Sequence, residues 1–468
     1  MTLIKGGTIV TSAGCFVGDI RIQDGKISEI GTHLPAYEKQ QGRKERGEVE
    51  TVIDAAGKYI LPGGVDAHTH MDLDVGIARA VDDFYTGTVA AACGGTTTIV
   101  DHIGFGPKNC PLGYQIEAYH KLADGNAVVD YGFHGVVQYI NEHTFAEMEE
   151  LFGEGITSFK GYLTYDYKLD DGQIYELMCK MKELGGMPAF HAENHDVIQL
   201  LRKEMVSQGK LQPVYHPQSR PAELEAEAVS RLLKIAHLAG DAPVYIVHLS
   251  TAAGLEEIRE ARSRGQKNIY VETCPQYLLL DDTNYLREDA LKYIMSPPLR
   301  KEADEAALWE GLAKDDIQIV GTDHCPFNYA VEKQRGKDDF TACPNGAPGV
   351  EERMQVLYSE GVAKNRISLS QYVKITAENP AKAFGLFPKK GVIQPGSDAD
   401  LVIFDPDAEE ILTKANMRCA VDYTLYEGMK VQGRIEKVLL RGTVIVENHE
   451  FTGARGQGKF LVRGKTIS

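Results

Sequence analysis

Residues 64–70 read Gly64-Val65-Asp66-Ala67-His68-Thr69-His70, an apolar β-rich run that ends on two histidines one residue apart. In extended backbone, residues two apart project to the same face, so His68 and His70 can present both imidazoles to one ion. Alone, such a pair is weak evidence. Its weight depends on the neighbouring sequence, because (β/α)8 enzymes keep their chemistry at the C-terminal ends of barrel strands.

From Lys58 onward the chain alternates apolar β-rich segments with helical stretches. Eight such segments occur, at 59–65, 96–100, 128–135, 157–162, 187–190, 244–247, 269–273 and 317–321. Between two of them lies 222–238, AELEAEAVSRLLKIAHL, which combines strong helix formers with apolar residues at helical spacing. Eight βα units predict an α/β fold closed into a TIM-like barrel. Before it, residues 3–10, 19–23 and 26–30 alternate as strands around the turn pair Asp24-Gly25. Residues 35–50 are densely charged without either period, and are expected as an exposed loop with no chemistry. After Gly391, β text returns at 399–405, 438–441, 443–447 and 460–462. The expected architecture is a catalytic (β/α)8 barrel, 58–390, inserted into a small composite β-sandwich domain built from both termini, 1–57 and 391–468. Asn379-Pro380 falls near the second boundary.

Composition narrows the function classes. A chain of 468 residues with 43% hydrophobic content has ample material for a large core. The formal charge of −17 repels nucleic acid and anionic membrane surfaces, and favours a neutral small substrate. No run approaches the roughly 18 apolar residues of a membrane span. The eight cysteines form no CxxC pair and no secretory signal opens the chain, so reduced thiols in the cytoplasm are expected.

Single candidate ligands follow other β segments: His191 after 187–190, His248 after 244–247 and Asp323 after 317–321. One such histidine is more often a core residue than a ligand; the repetition is what counts. Lys160 lies inside the fourth segment, where an unpaired ammonium is costly to bury. A neutralised amine there can add carbon dioxide to give a carbamate, whose two oxygens can bridge two ions. The alternative is a lysine paired with an acid elsewhere in the chain. The shortage of acidic ligands besides Asp323 favours the carbamate. His195 in HAENH is read as structural, Asp101, His102 and His134 as supports or core, His324 as facing away from Asp323, and Cys274 and Cys325 as packing thiols.

The texts PGGVDAHTH, SFKGYLTY and GTDHCPF, with the strand-end histidines, resemble the amidohydrolase superfamily, and within it the D-hydantoinases and dihydropyrimidinases. The resemblance spans essentially the whole chain, including GSDADL at 396–401. DVGIAR at 74–79 and VVQYIN at 136–141 are most similar to bacterial D-phenylhydantoinases. It implies two divalent ions, zinc in the family, bridged by an N6-carboxylated Lys160. One ion takes His68, His70, Lys160 and Asp323, and the other takes Lys160, His191 and His248. It further implies that Tyr165 bonds the substrate carbonyl and that Asp323 moves the proton. Ser296 and Asn345 would hold the ring amides through backbone groups, and Met71, Leu73 and Tyr162 would flank the exocyclic substituent. The implied assembly is a homotetramer, and the implied product an N-carbamoyl amino acid. The alternatives are a dihydropyrimidinase proper, an allantoinase or dihydroorotase, a single-metal deaminase, or a non-catalytic scaffold of the same fold. Lys160 disfavours the deaminase, and the intact ligand set disfavours the scaffold.

Overall fold

Asp24 and Gly25 both adopt left-handed backbone, with φ of 51° and 78°, which suits a two-residue hairpin turn. The computed structural model describes residues 1–36 and 50–466. The hairpin joins β2 (Gly14–Gln23) to β3 (Lys26–Gly31), and β1 (Thr2–Thr11) pairs with β2. Two further strands, β4 (Thr51–Asp54) and β5 (Tyr59–Pro62), lie parallel to β1.

The chain then enters an eight-stranded parallel sheet whose spatial order follows the sequence. Its strands are β6 (Gly64–Thr69), β7 (Thr96–His102), β8 (Asp130–Val136), β9 (Ser158–Tyr162), β10 (Met187–His191), β11 (Val244–Ile246), β12 (Ile269–Thr273) and β13 (Ile319–Val320). The segment after β13 closes the barrel against β6: Asp323 N–H donates to His68 O (2.8 Å) and His70 N–H to His324 O (2.9 Å). Buried Arg353 seals the same seam by donating to the carbonyls of Val65 (3.0 Å) and Val320 (2.9 Å). Val65, Ala67, Val100, Ala189, Tyr245 and Ile319 pack together as a filled barrel interior.

β14 (Leu401–Ile411), β15 (Lys430–Leu440), β16 (Thr443–Glu447) and β17 (Glu450–Phe451) return to the first sheet through β14–β5 pairing, making it nine-stranded. Ile4, Ile9, Ile20, Ile60, Leu401 and Leu439 form its own core. Asp398 and Asp400 of the GSDADL text, with Asp130 at the start of β8, surround buried Lys390 at 3.0, 2.7 and 2.6 Å. That cluster ties the sheet to the base of the barrel. Among the described residues no helix is long and apolar enough to cross a membrane.

Four expectations change. The segment 59–65 is two strands: Gly63 leaves no room for a side chain, since a Cβ there would meet Thr97 Oγ1 at 2.2 Å, and the chain crosses between sheets at this point. β15 begins at Lys430, eight residues before the expected 438. Residues 460–462 join no strand of the small sheet; Lys459 and Leu461 instead hydrogen-bond Tyr131 on β8. The expected loop at 35–50 falls outside the described residues at 37–49, but Glu50 is buried and pairs with Arg21 at 3.0 Å.

Candidate metal centre

Asp323 Oδ1 lies 3.1 Å from both His68 Nε2 and His70 Nε2. These three side chains form a group that can hold a metal ion, with ligand atoms all within 4.8 Å of one another. The rings are set from behind. His68 Nδ1 lies 2.6 Å from Glu272 Oε1, and His70 Nδ1 lies 3.0 Å from the His102 carbonyl. Those oxygens can only accept, so each Nδ1 carries a proton and each Nε2 is the nitrogen turned toward Asp323 and a prospective ion. Burial opposes a charge on His68, but Glu272 and Asp323 outweigh it and raise its pKa to about 9. The pocket therefore attracts positive charge, which fits a cation among these donors.

A second pair sits alongside. His191 Nδ1 faces His248 Nε2 at 2.9 Å. His191 Nε2 is held by Glu193 at 2.7 Å, and Glu193 by Arg220 at 2.5 Å. Burial and the neighbouring His191 press His248 well below the ordinary histidine value, leaving it neutral. The His68 and His248 rings stack at 5.5 Å, which brings the two groups together. Asp323, His248 and Tyr165 all have left-handed backbone, with φ of 54°, 39° and 68°. Strained conformations of this kind concentrate at functional sites.

Lys160 is buried in β9, and among the described residues no carboxylate pairs with its ammonium, which lies 5.5 Å from the Tyr162 ring. Burial lowers its pKa to about 8, against the pull of Asp323 and Glu272. A free amine is thus accessible close to neutral pH.

The remaining candidates are spread around this centre. The Tyr165 ring is 5.2 Å from His191. Ser296 is buried, and Asn345 lines a small cavity with Arg202 and Arg220. Tyr162 is buried between Phe105 (5.0 Å) and Tyr165 (5.9 Å). Leu73 is half-buried against Gly104. Met71 is fully buried, its sulfur against Gly87.

His134 sits between Ala67 O (2.9 Å) and Ser158 Oγ (2.6 Å) and stacks on His102 at 3.9 Å. His324 pairs with Asp82 at 3.2 Å, away from Asp323. His195 opens the helix His195–Ser207, and Cys274 and Cys325 are buried thiols. Sequence reasoning missed Glu272, Glu193 and Arg220. The signal for Glu272 was available: an acid inside the apolar strand 269–273 is as costly to bury as Lys160.

Residues 59–445 match the model of the amidohydrolase family. The chain belongs to that family. This amidohydrolase is 47% identical to D-phenylhydantoinase of Escherichia coli O1:K1 / APEC over 465 residues, which is 98% of each chain. Among solved structures, dihydropyrimidinase from Brevibacillus agri NCHU1002 superposes with a TM-score of 0.95 at 42% identity, covering 100% of this chain and 99% of that one. An L-hydantoinase (dihydropyrimidinase) from Arthrobacter aurescens matches at 0.86 and 31% identity over 98% and 99%.

Proposed function

We propose that this amidohydrolase opens the ring amide of 5-substituted hydantoins and of dihydropyrimidines, releasing N-carbamoyl amino acids. Full-length similarity to D-phenylhydantoinase supports the reaction class. The observation that carries the site is the convergence of His68, His70 and Asp323 with the facing pair His191 and His248. Two divalent ions, zinc in our reading, would be held by these residues and by Lys160, and would activate water and polarise the ring carbonyl.

The chain's own groups do the rest. The Lys160 amine would add carbon dioxide, forming an N–C bond and losing a proton to solvent, and the resulting carbamate would supply two anionic oxygens toward the ions. Asp323 accepts a proton from the attacking water and delivers it to the departing ring nitrogen. Tyr165 donates its hydroxyl to the carbonyl oxygen as negative charge develops there. Backbone groups of Ser296 and Asn345 hold the ring amides. Met71, Leu73 and Tyr162 flank the exocyclic group. The division 1–57, 58–390 and 391–468, a homotetrameric assembly and a cytoplasmic setting complete the reading.

Dihydropyrimidinase proper is the second reading, favoured by the fit to the Brevibacillus agri structure. Ring-opening rates on 5-phenylhydantoin, dihydrouracil, allantoin and dihydroorotate, with metal content measured on the same protein, separate these readings. Burial of a phenyl group against Leu73 and Tyr162 should favour phenylhydantoin over dihydrouracil by about ten- to a hundredfold in kcat/KM. A preference for dihydrouracil would leave dihydropyrimidinase; no ring opening on any of them would remove the activity.

A further inference from the structure

Backbone groups that bind a substrate have no side chain with which to adjust, so their spacing must be set by something else. Between the segments carrying Ser296 and Asn345 lies Lys333, the first residue of the short helix Lys333–Gly336, with no exposed surface. Its ammonium donates to the carbonyls of Ile294 (2.6 Å), Gly346 (2.6 Å) and Pro344 (3.1 Å). An ammonium has three N–H donors, and all three are used. Among the described residues no carboxylate pairs with it.

We propose that Lys333 is a positioning residue, a three-way clamp that fixes the backbone at Ser296 and at Asn345 at the separation the substrate ring requires. This rests on the ring-amide reading of those two positions. The clamped carbonyls belong to both neighbours of Asn345 and to the residue two before Ser296. The two segments also bond directly, since Gly346 N–H donates to Ile294 O at 3.1 Å. Gly346 has φ of 145°, and a Cβ there would lie 2.3 Å from Cys325 O, so this turn is pressed against the strand end carrying Asp323. Cys325 N–H donates to Ala347 O at 3.0 Å and completes the connection. A buried ammonium without a counter-ion is costly. A methionine of similar length would fill the space, so packing alone does not call for a lysine. What the lysine adds is a single point bonded to three carbonyls.

The test compares wild type with Lys333→Met and Lys333→Gln, the latter keeping two donors, on hydantoin turnover, with metal content read on each protein. The clamp predicts that both variants keep their metals. It further predicts a KM raised about tenfold or more in Lys333→Met and by less in Lys333→Gln, with kcat within about threefold of wild type. Where Lys333→Met does not fold, Lys333→Gln carries the comparison. Unchanged KM in an active, folded variant overturns the clamp while leaving the function standing. So does a loss of kcat accompanied by loss of metal, because the lysine would then support the ion site. A metal-replete wild type that opens no ring overturns the proposed function and the clamp with it.

Discussion

Burial holds the Tyr165 phenol at about 12, so its hydroxyl stays a donor throughout the neutral range. Tyr165→Phe should fold and keep its metals yet lose roughly 10² to 10³ in kcat, the usual effect of removing one oxyanion donor. Steady-state kinetics with metal analysis checks this, and wild-type kcat in the variant would reduce Tyr165 to packing. His68 gives a pH prediction. Its folded value of about 9 lies above the ordinary 6.5, so protonation stabilises the ion-free fold fully below 6.5, and that contribution is lost as pH rises through about 9. An ion must displace the same proton. Affinity at the His68–His70–Asp323 group should therefore climb about tenfold per pH unit from roughly 7 to 9 and then level, as read by chelator competition. A flat profile would mean that His68 is already neutral. The strand-end candidates were legible one by one because each follows an apolar β run. Met71 carried less signal: an apolar residue after a candidate ligand reads equally well as rim or core, and its burial against Gly87 is set by the fold.

Strands act on the site chiefly through Glu272 on β12. One of its oxygens receives His68 from β6 at 2.6 Å and the His248 backbone N–H beyond β11 at 3.0 Å, and the other accepts the Tyr245 hydroxyl at 2.8 Å. A single carboxylate thus sets residues in both ligand groups. Glu272→Gln should leave a folded barrel while weakening metal affinity about ten- to a hundredfold, the scale reported for such supporting partners. Isothermal titration of the ion-free variant measures it, and unchanged affinity would make Glu272 a core residue only. The buried acid is legible inside 269–273, but its pairing is not, because Glu272 and His68 stand 204 positions apart and only barrel closure brings them together. Secondary elements show the same division. The helix at 222–238 and the hairpin at Asp24-Gly25 follow from local pattern, whereas the split of 59–65 depends on Thr97 standing opposite Gly63.

At the scale of the whole molecule, the barrel gathers at one rim the candidate donors of β6, β9 and β10 and of the segments after β11 and β13. The nine-stranded sheet is anchored at the opposite end, where Lys390 meets Asp130, Asp398 and Asp400. Stability and chemistry are thereby placed at different ends, as in other barrels of this class. Within that arrangement Lys160 is the one lysine among the proposed ligands, and the account stands or falls on its being a carbamate that joins two ions. The most direct test is the ring-opening rate and metal content of Lys160→Ala, measured with and without a short carboxylic acid such as acetate. The account predicts loss of the two-ion state and of nearly all turnover, with both partly restored by the added acid. A Lys160→Ala protein that holds two ions and opens hydantoin at the wild-type rate would contradict it.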